Sequence, residues 1–106
     1  NRLRTTRDAL QAELQRLDIP ATPTRFAPDG LVIARGDRAS TADLERLDGQ
    51  FLIQDEASQL VALLAGPRPG PLVLDACASP GGKTTALAAA MGAGKGLVAC
   101  DIRDSD

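Results

Sequence analysis

The residues best suited to chemistry stand in a loop of small residues between an apolar segment and an Ala-rich segment. The loop reads Asp75-Ala76-Cys77-Ala78-Ser79-Pro80-Gly81-Gly82-Lys83. Small residues let a ligand approach the backbone closely, and proline stiffens the turn. The amides of residues 81–83 lie where a helix would begin, and the first amides of a helix have no partners within it. The pattern therefore predicts a loop that binds an anion.

An acid ends each of the two apolar segments around this loop. Asp75 follows Leu72-Val73-Leu74, and Asp101 follows Leu97-Val98-Ala99-Cys100. Asp101 comes 20 residues after Gly81, the interval at which a strand-end acid takes ribose hydroxyls in nucleotide-binding βαβ units. An anion at the loop and a ribose at Asp101 describe either a nucleotide or S-adenosylmethionine, whose methionyl carboxylate is the anion. The alternative is a purely structural role, in which the glycine pair packs the helix against the strand and Asp101 caps a loop.

Two better-known phosphate loops do not fit. The Gly-x4-Gly-Lys-[Ser/Thr] template needs a glycine where Cys77 stands, and the Gly-x-Gly-x-x-Gly fingerprint is absent before the helix. Gly92 and Gly94 follow the helix, where they cannot serve its N-terminus. A degenerate P-loop nucleotidase stays an alternative that magnesium-dependent ATP binding would support.

Composition excludes several other sites. The chain has no His, Trp or Tyr, so it holds neither a Ser-His-Asp triad nor a His-based zinc site. Its two phenylalanines are too few for a base-stacking platform. Cys77 and Cys100 are too few for a Cys-rich metal site or a disulfide framework. One bridge between them is conceivable, but their apolar surroundings favour reduced, buried thiols. We expect no metal.

The 106 residues have ordinary globular composition and a net charge of −2. No apolar run approaches the roughly 20 residues of a membrane span, so we expect no membrane partner. The chain begins at Asn1 without a signal segment, which favours a cytoplasmic protein whose start is missing. Oligomeric state is not set by these features.

The elements that position the loop follow from periodicity. Residues 72–75 and 97–100 read as buried parallel strands covered on both faces, with a helix from Lys83 to Met91 between them. A helix from Asp55 to Leu64 precedes them, with Ala57, Leu60, Val61 and Leu64 on one face. This βαβ unit is the start of a larger sheet, which we expect to continue beyond Asp106 or in another chain.

The first half has a different organisation. Thr6 is a predicted N-cap for a helix through about Leu17, whose apolar face is Leu10, Leu14 and Leu17. Arg2-Leu3-Arg4 alternates like a short strand, residues 18–30 read as a connector, and Leu31-Val32-Ile33-Ala34 reads as a strand. A short helix is predicted from Thr41 through Leu47. We therefore expect two domains, 1–49 and 50–106.

These motifs resemble the Sun (RsmB-type) family of RNA cytosine methyltransferases. Val73 to Thr84 matches the family pattern Val-Leu-Asp-x-Cys-Ala-Ala-Pro-Gly-Gly-Lys-Thr, with Ser79 in place of the second Ala of the Ala-Ala pair. Gln54 to Gln59 matches Gln-Asp-x-Ala-Ser-Gln, and Asp101 matches a strand-terminal Asp. The opening Asn1-Arg2-Leu3-Arg4 looks like the Asn-x-Leu-[Lys/Arg] start of the family's RNA-binding subdomain.

The resemblance implies an α/β fold: the start of a Rossmann-like methyltransferase sheet after a partial α+β RNA-binding subdomain. It implies S-adenosylmethionine as cofactor and RNA, usually ribosomal, as partner. Asp101 would bind the ribose, Asp75 would orient the loop or meet the methionyl ammonium, and Lys83 would meet the carboxylate or an RNA phosphate unless it is simply solvated. The implied cofactor-binding residues are Asp75, Cys77, Ala78, Ser79, Pro80, Gly81, Gly82, Lys83 and Asp101. The candidate RNA-phosphate contacts are Arg2, Arg4 and Arg7, with a solvated surface as the alternative.

The reaction implied is methylation of carbon 5 of cytosine, for which a Cys thiolate first adds to carbon 6. The family's two cysteines lie in Pro-Cys and Thr-Cys-Ser segments downstream of the Asp101 equivalent, so this stretch supplies no catalytic residue. Cys77 lies inside the cofactor loop and is not that nucleophile. Gln54 and Asp55 are expected to support helix entry. The alternative function is a non-catalytic module that binds RNA or a protein partner.

Overall fold

The computed structural model describes residues 1–33, 41–66, 70, 72–92 and 95–103, which divide into two compact units, Asn1–Glu56 and Ala57–Asp106. The assignment of residues 1–49 and 50–106 to functional domains stays a prediction. The elements in chain order are α1 (Arg7–Arg16), β1 (Ala21–Pro23), β2 (Leu31–Ile33), α2 (Thr41–Glu45), α3 (Glu56–Leu64), β3 (Val73–Asp75), α4 (Gly82–Ala90) and β4 (Leu97–Ala99).

Helix α1 organises the core of the first unit. The Thr6 hydroxyl oxygen accepts a hydrogen bond from the amide of Ala9 at 3.2 Å, which confirms the predicted N-cap. Leu10 and Leu14 are buried and form a cluster with Ile19 and Leu47. Ile19 is only 1% exposed. Leu17, Leu31 and Phe51 pack around this cluster. The predicted apolar face of the helix is therefore confirmed.

A two-stranded antiparallel sheet lies beside α1. β1 pairs with β2 so that Ala21 faces Ile33 and Pro23 faces Leu31. The prediction that residues 18–30 form only a connector is wrong, because Pro23 ends an edge strand, where a missing N–H is tolerated. The predicted strand at Leu31 is confirmed through Ile33, and its last predicted residue, Ala34, lies outside the described residues.

The predicted strand at Arg2-Leu3-Arg4 is wrong, because these residues form a turn. The carbonyl of Asn1 accepts from the amides of Arg4 and Thr5 at 3.0 and 3.1 Å, which closes the chain on itself. The predicted short helix from Thr41 is confirmed as α2, but it ends at Glu45 rather than Leu47.

The second unit contains the predicted βαβ arrangement. β3 and β4 pair in parallel, with Val73 opposite Leu97 and Asp75 opposite Ala99, and α4 connects them. Leu87 and Met91 are the buried residues of the helix and its C-cap. The chain is thus α/β in these residues, and the parallel pair brings the C-terminal ends of both strands to one edge.

Burial in this unit departs from expectation. Ala62 is the one buried residue that α3 shows, whereas Leu64 of the predicted apolar face is 86% exposed. Leu74 and Val98 are also exposed, so the prediction of strands covered on both faces is wrong for the described residues. Coverage of both faces needs a helix packed on each side, and the helix that packs on this pair in the described residues is α4, against β4. None of the helices in the described ranges is long and apolar enough to cross a membrane.

Candidate functional site

The Asp75 carboxylate joins the two ends of the small-residue loop. One oxygen, Oδ1, accepts from the amide of Cys77 at 3.2 Å. The other, Oδ2, accepts from the hydroxyl of Thr84 at 2.6 Å. Because Asp75 ends β3 and Thr84 lies in the first turn of α4, one side chain fixes the start of the helix to the end of the strand.

Asp101 holds the middle of the same loop. Its Oδ2 accepts from the amide of Ser79 and its Oδ1 accepts from the amide of Arg103, both at 2.9 Å. Hydrogen bonds from Arg103 and then Ser79 lower the pKa of Asp101, because they favour the charged carboxylate. Each carboxylate oxygen has a second lone pair, so both oxygens can still accept from a ligand hydroxyl.

Backbone hydrogen bonds bring the loop and the second strand together. The amide of Cys100 donates to the carbonyl of Asp75 at 2.8 Å, and the amide of Ala78 donates to the carbonyl of Cys100 at 3.0 Å. The loop then turns on a bond from the Gly81 amide to the Ala78 carbonyl at 2.6 Å, and the intervening Ser79–Pro80 peptide is cis. The structure thereby places the predicted loop residues and Asp101 at one edge of the sheet.

Gly81 is the N-cap of helix α4 and lies in the left-handed region, with φ +101°. Its carbonyl accepts both the amide and the hydroxyl of Thr85 at 2.8 Å. No side chain among the described residues caps this helix. A Cβ at Gly81 would meet no atom of the described chain within 4 Å apart from its chain neighbours, so the space in front of this turn is open. The first-turn amides are therefore available to an anionic ligand.

Sequence comparison bears directly on this loop. Residues 61–105 match the family described as 16S rRNA methyltransferase RsmB/F. Ribosomal RNA small subunit methyltransferase B of Pseudomonas putida is 39% identical, in an alignment that covers 96% of this chain and 23% of that protein. This chain is similar to the RsmB/F family.

Two further relatives agree. The probable methyltransferase B of Synechocystis is 35% identical, covering 87% of this chain and 21% of that protein. Methyltransferase F of Cronobacter sakazakii is 39% identical, covering 86% and 20% respectively. The resemblance predicted from the motifs is confirmed, and the chain spans about a fifth of the length of the curated relatives it matches.

The prediction of buried thiols is wrong. Cys77 and Cys100 are both free and exposed. Cys77 lies in the loop between strand and helix, and Cys100 follows the last residue of a strand whose outer face the described residues leave uncovered. Apolar neighbours in sequence do not reveal that exposure, because burial depends on packing against segments that are distant in sequence.

The three predicted RNA contacts belong to the first unit. Arg2 pairs with Asp29, with 3.7 Å between Nε and Oδ1, and remains largely exposed. Arg7 lies 3.7 Å from Asp8, and its Nε is buried without a hydrogen-bond partner among the described residues. Arg4 is exposed and Arg7 is partly exposed. Guanidinium groups carry several N–H donors that suit a phosphate. Their role stays a prediction.

Two residues of the RsmB/F motifs have structural roles that the sequence did not assign. Thr84 ends the glycine motif, and its only sequence signal was that position. Glu56 occupies the variable position of the Gln-Asp-x-Ala-Ser-Gln motif, and its Oε1 accepts from the amides of Phe26 and Ala27 at 2.6 and 2.8 Å. No local pattern indicates a bond across 30 residues.

Proposed function

We propose that this chain forms the cofactor-binding part of an RNA methyltransferase that transfers a methyl group from S-adenosylmethionine to carbon 5 of cytosine in ribosomal RNA. The observation that carries the proposal is the loop held from two sides by strand-end acids, Asp75 and Asp101, in front of an open helix start. The relatives named as small subunit rRNA methyltransferases support the substrate class.

The donor and acceptor set of this edge fits S-adenosylmethionine. The exposed carboxylate of Asp101 offers acceptors to two ribose hydroxyls, while it still holds Ser79. The amides of Gly82 and Lys83 in the first turn of α4 suit the methionyl carboxylate, and Lys83 is exposed beside them. The open space at Gly81 leaves room for the methionyl part to approach the backbone.

The division of labour follows from these contacts. The bound cofactor supplies an electrophilic methyl group, and the residues of this chain hold and orient it. The Cys77 amide is committed to Asp75, and we assign no catalytic role to its thiol. A cytoplasmic location, a Rossmann-like continuation of the sheet and phosphate contacts by Arg2, Arg4 and Arg7 belong to the same proposal.

Calorimetry with S-adenosylmethionine tests the cofactor part. The chain should bind it, and Asp101→Ala should weaken binding about tenfold or more, because a charged acceptor for hydroxyls is removed. Asp48→Ala, which removes an acid of the other unit, is the matched control and should bind normally. Unchanged affinity in Asp101→Ala would refute the assignment of Asp101.

The same titrations separate the alternative function. A chain that binds RNA with salt-sensitive affinity but takes up no S-adenosylmethionine would be a non-catalytic RNA-binding module. Magnesium-dependent ATP binding would instead indicate a nucleotidase-like site.

A further inference from the structure

The turn between β1 and β2 presents an exposed aromatic ring with a guanidinium over it. Phe26 is 64% exposed, although large apolar side chains are usually covered. The Cζ of Arg25 lies 5.0 Å from the centroid of its ring, within cation–π range. One face of the ring is thus paired with a planar cation.

The backbone beneath this ring is held at several points. Glu56 accepts hydrogen bonds from the amides of Phe26 and Ala27. The carbonyl of Ala27 accepts from the Thr24 hydroxyl at 2.7 Å and from the Gly30 amide at 3.3 Å. The backbone that carries the ring therefore needs little further ordering when a ligand binds.

We propose that Phe26 stacks on a single unpaired base of RNA, with Arg25 completing the stack on the other face of the ring. The inference rests on the proposed function, since it names a contact that the RNA substrate would make. Aromatic rings and arginine planes are the groups on which proteins stack splayed-out RNA bases. Two phenylalanines form no platform, but one ring accommodates one base.

The charges around the turn favour stacking over simple phosphate attraction. The Glu56 carboxylate is occupied by two amides and partly offsets Arg25, and Asp29 is paired with Arg2. A locally balanced surface attracts phosphates weakly, whereas stacking needs only the exposed ring face. The same balance makes a strongly acidic or basic protein a poor partner for this turn.

Tryptophan fluorescence reports the contact directly, because the chain contains no Trp. In Phe26→Trp, a short single-stranded RNA of mixed sequence should quench the emission as a base stacks on the indole. Leu64→Trp is the matched control, since Leu64 is 86% exposed but lies in the other unit. Equal quenching in the two variants, or quenching in neither, would overturn the proposal.

Affinity for the same RNA provides the second readout. Phe26→Ala and Phe26→Leu should both weaken binding about tenfold, because the leucine keeps the apolar surface but loses the ring. Arg16→Ala, which removes an exposed arginine from α1, should have a smaller effect. If Phe26→Leu binds RNA like the original chain, the aromatic ring is not needed for the contact and the proposal fails.

S-adenosylmethionine calorimetry keeps this inference separate from the proposed function. Phe26→Ala should bind the cofactor normally, because the substitution lies in the other unit from the loop. Normal cofactor binding without RNA-dependent quenching would refute the stacking contact alone. If the original chain itself did not bind S-adenosylmethionine, the result would count against the proposed function instead.

Discussion

The hydroxyl of Thr84 donates to Oδ2 of Asp75 at 2.6 Å, across the whole length of the glycine-containing loop. The same carboxylate receives the amide of Cys77 through its other oxygen. Asp75, which accepts both hydrogen bonds, is the last residue of β3. The first turn of α4 is therefore fixed relative to β3. The geometry of the candidate cofactor site therefore depends on a bond outside the glycines themselves.

Thr84→Val should remove the hydrogen bond to Asp75 while keeping a side chain of nearly the same shape. Valine keeps the branched side chain but removes the donor, which should lower the free energy of unfolding by about 1 kcal/mol and weaken S-adenosylmethionine binding. Urea unfolding and calorimetry measure the two effects. Thr84→Ser retains the hydroxyl and should resemble the original chain. An unchanged urea midpoint in Thr84→Val would mean that the bond contributes nothing to stability.

Asp101 should couple the loop to pH. Because hydrogen bonds from Arg103 and Ser79 lower its pKa in the folded chain, its contribution to stability is complete above the ordinary aspartate pKa of about 3.9. That contribution declines as pH falls from there and is lost once pH passes through the lower folded pKa. The amide resonances of Ser79 and Arg103 should therefore shift together, with a midpoint below the ordinary value.

Asp101→Asn supplies the control for this titration. It removes the ionisable group, so the shared shift of the Ser79 and Arg103 amides should disappear. A Ser79 amide that does not respond in the original chain would show that the carboxylate does not hold the loop in solution.

Glu56 should protect the turn that carries Phe26. Its carboxylate accepts two amides, and those bonds lower its pKa, the bond from Ala27 most of all. Glu56→Ala should speed hydrogen exchange at the amides of Phe26 and Ala27, whereas Glu56→Gln keeps an acceptor oxygen and should preserve part of the protection. The amide of Ala9, which Thr6 caps, is an internal reference that neither substitution should affect. If these two amides exchanged at the same rate in Glu56→Ala and Glu56→Gln, the assignment of Glu56 as their acceptor would be contradicted.

Two glycines should be sensitive to alanine for different reasons. At Gly81 a Cβ meets open space, so Gly81→Ala should cost about 1–2 kcal/mol through its left-handed backbone alone. At Gly30 the obstacle is steric, because a Cβ would collide with the hydroxyl of Thr24. Gly30→Ala should cost about 1–3 kcal/mol and disturb the bond from Thr24 to Ala27.

Urea unfolding measures both costs, and a second substitution distinguishes their causes. Thr24→Ala should relieve part of the loss in Gly30→Ala, whereas it should leave the loss in Gly81→Ala unchanged. If the double variant Gly30→Ala/Thr24→Ala lost as much free energy of unfolding as Gly30→Ala alone, collision with Thr24 would not be the cause of the loss.

Local patterns predicted the parts of the fold that local forces determine. Thr6 was identifiable as an N-cap because its hydroxyl bonds an amide three residues away, and Leu10 and Leu14 repeat at helical spacing. The parallel pairing of β3 and β4 was predictable from two apolar segments and a helix between them. The family motifs identified the loop for the same reason, since they are contiguous in sequence.

Long-range contacts explain what the sequence did not predict. β1 ends at Pro23 and exists through its pairing with β2, so the prolines alone indicated a connector. Asn1 closes a turn at the place where alternation suggested a strand. The bonds of Asp101 to Ser79 and of Glu56 to Phe26 each cross more than 20 residues, and no short window contains both partners.

The bond between Asp101 and residue 79 uses the main chain of the loop, so the side chain at that position takes no part in it. Any amino acid with an N–H can make the bond, which accounts for the tolerance of serine where the family pattern has alanine. The same freedom makes residue 79 a convenient attachment point. Once Cys77 and Cys100 are replaced, a single cysteine there would carry a fluorescent dye at the edge of the site while the carboxylate contact stays intact.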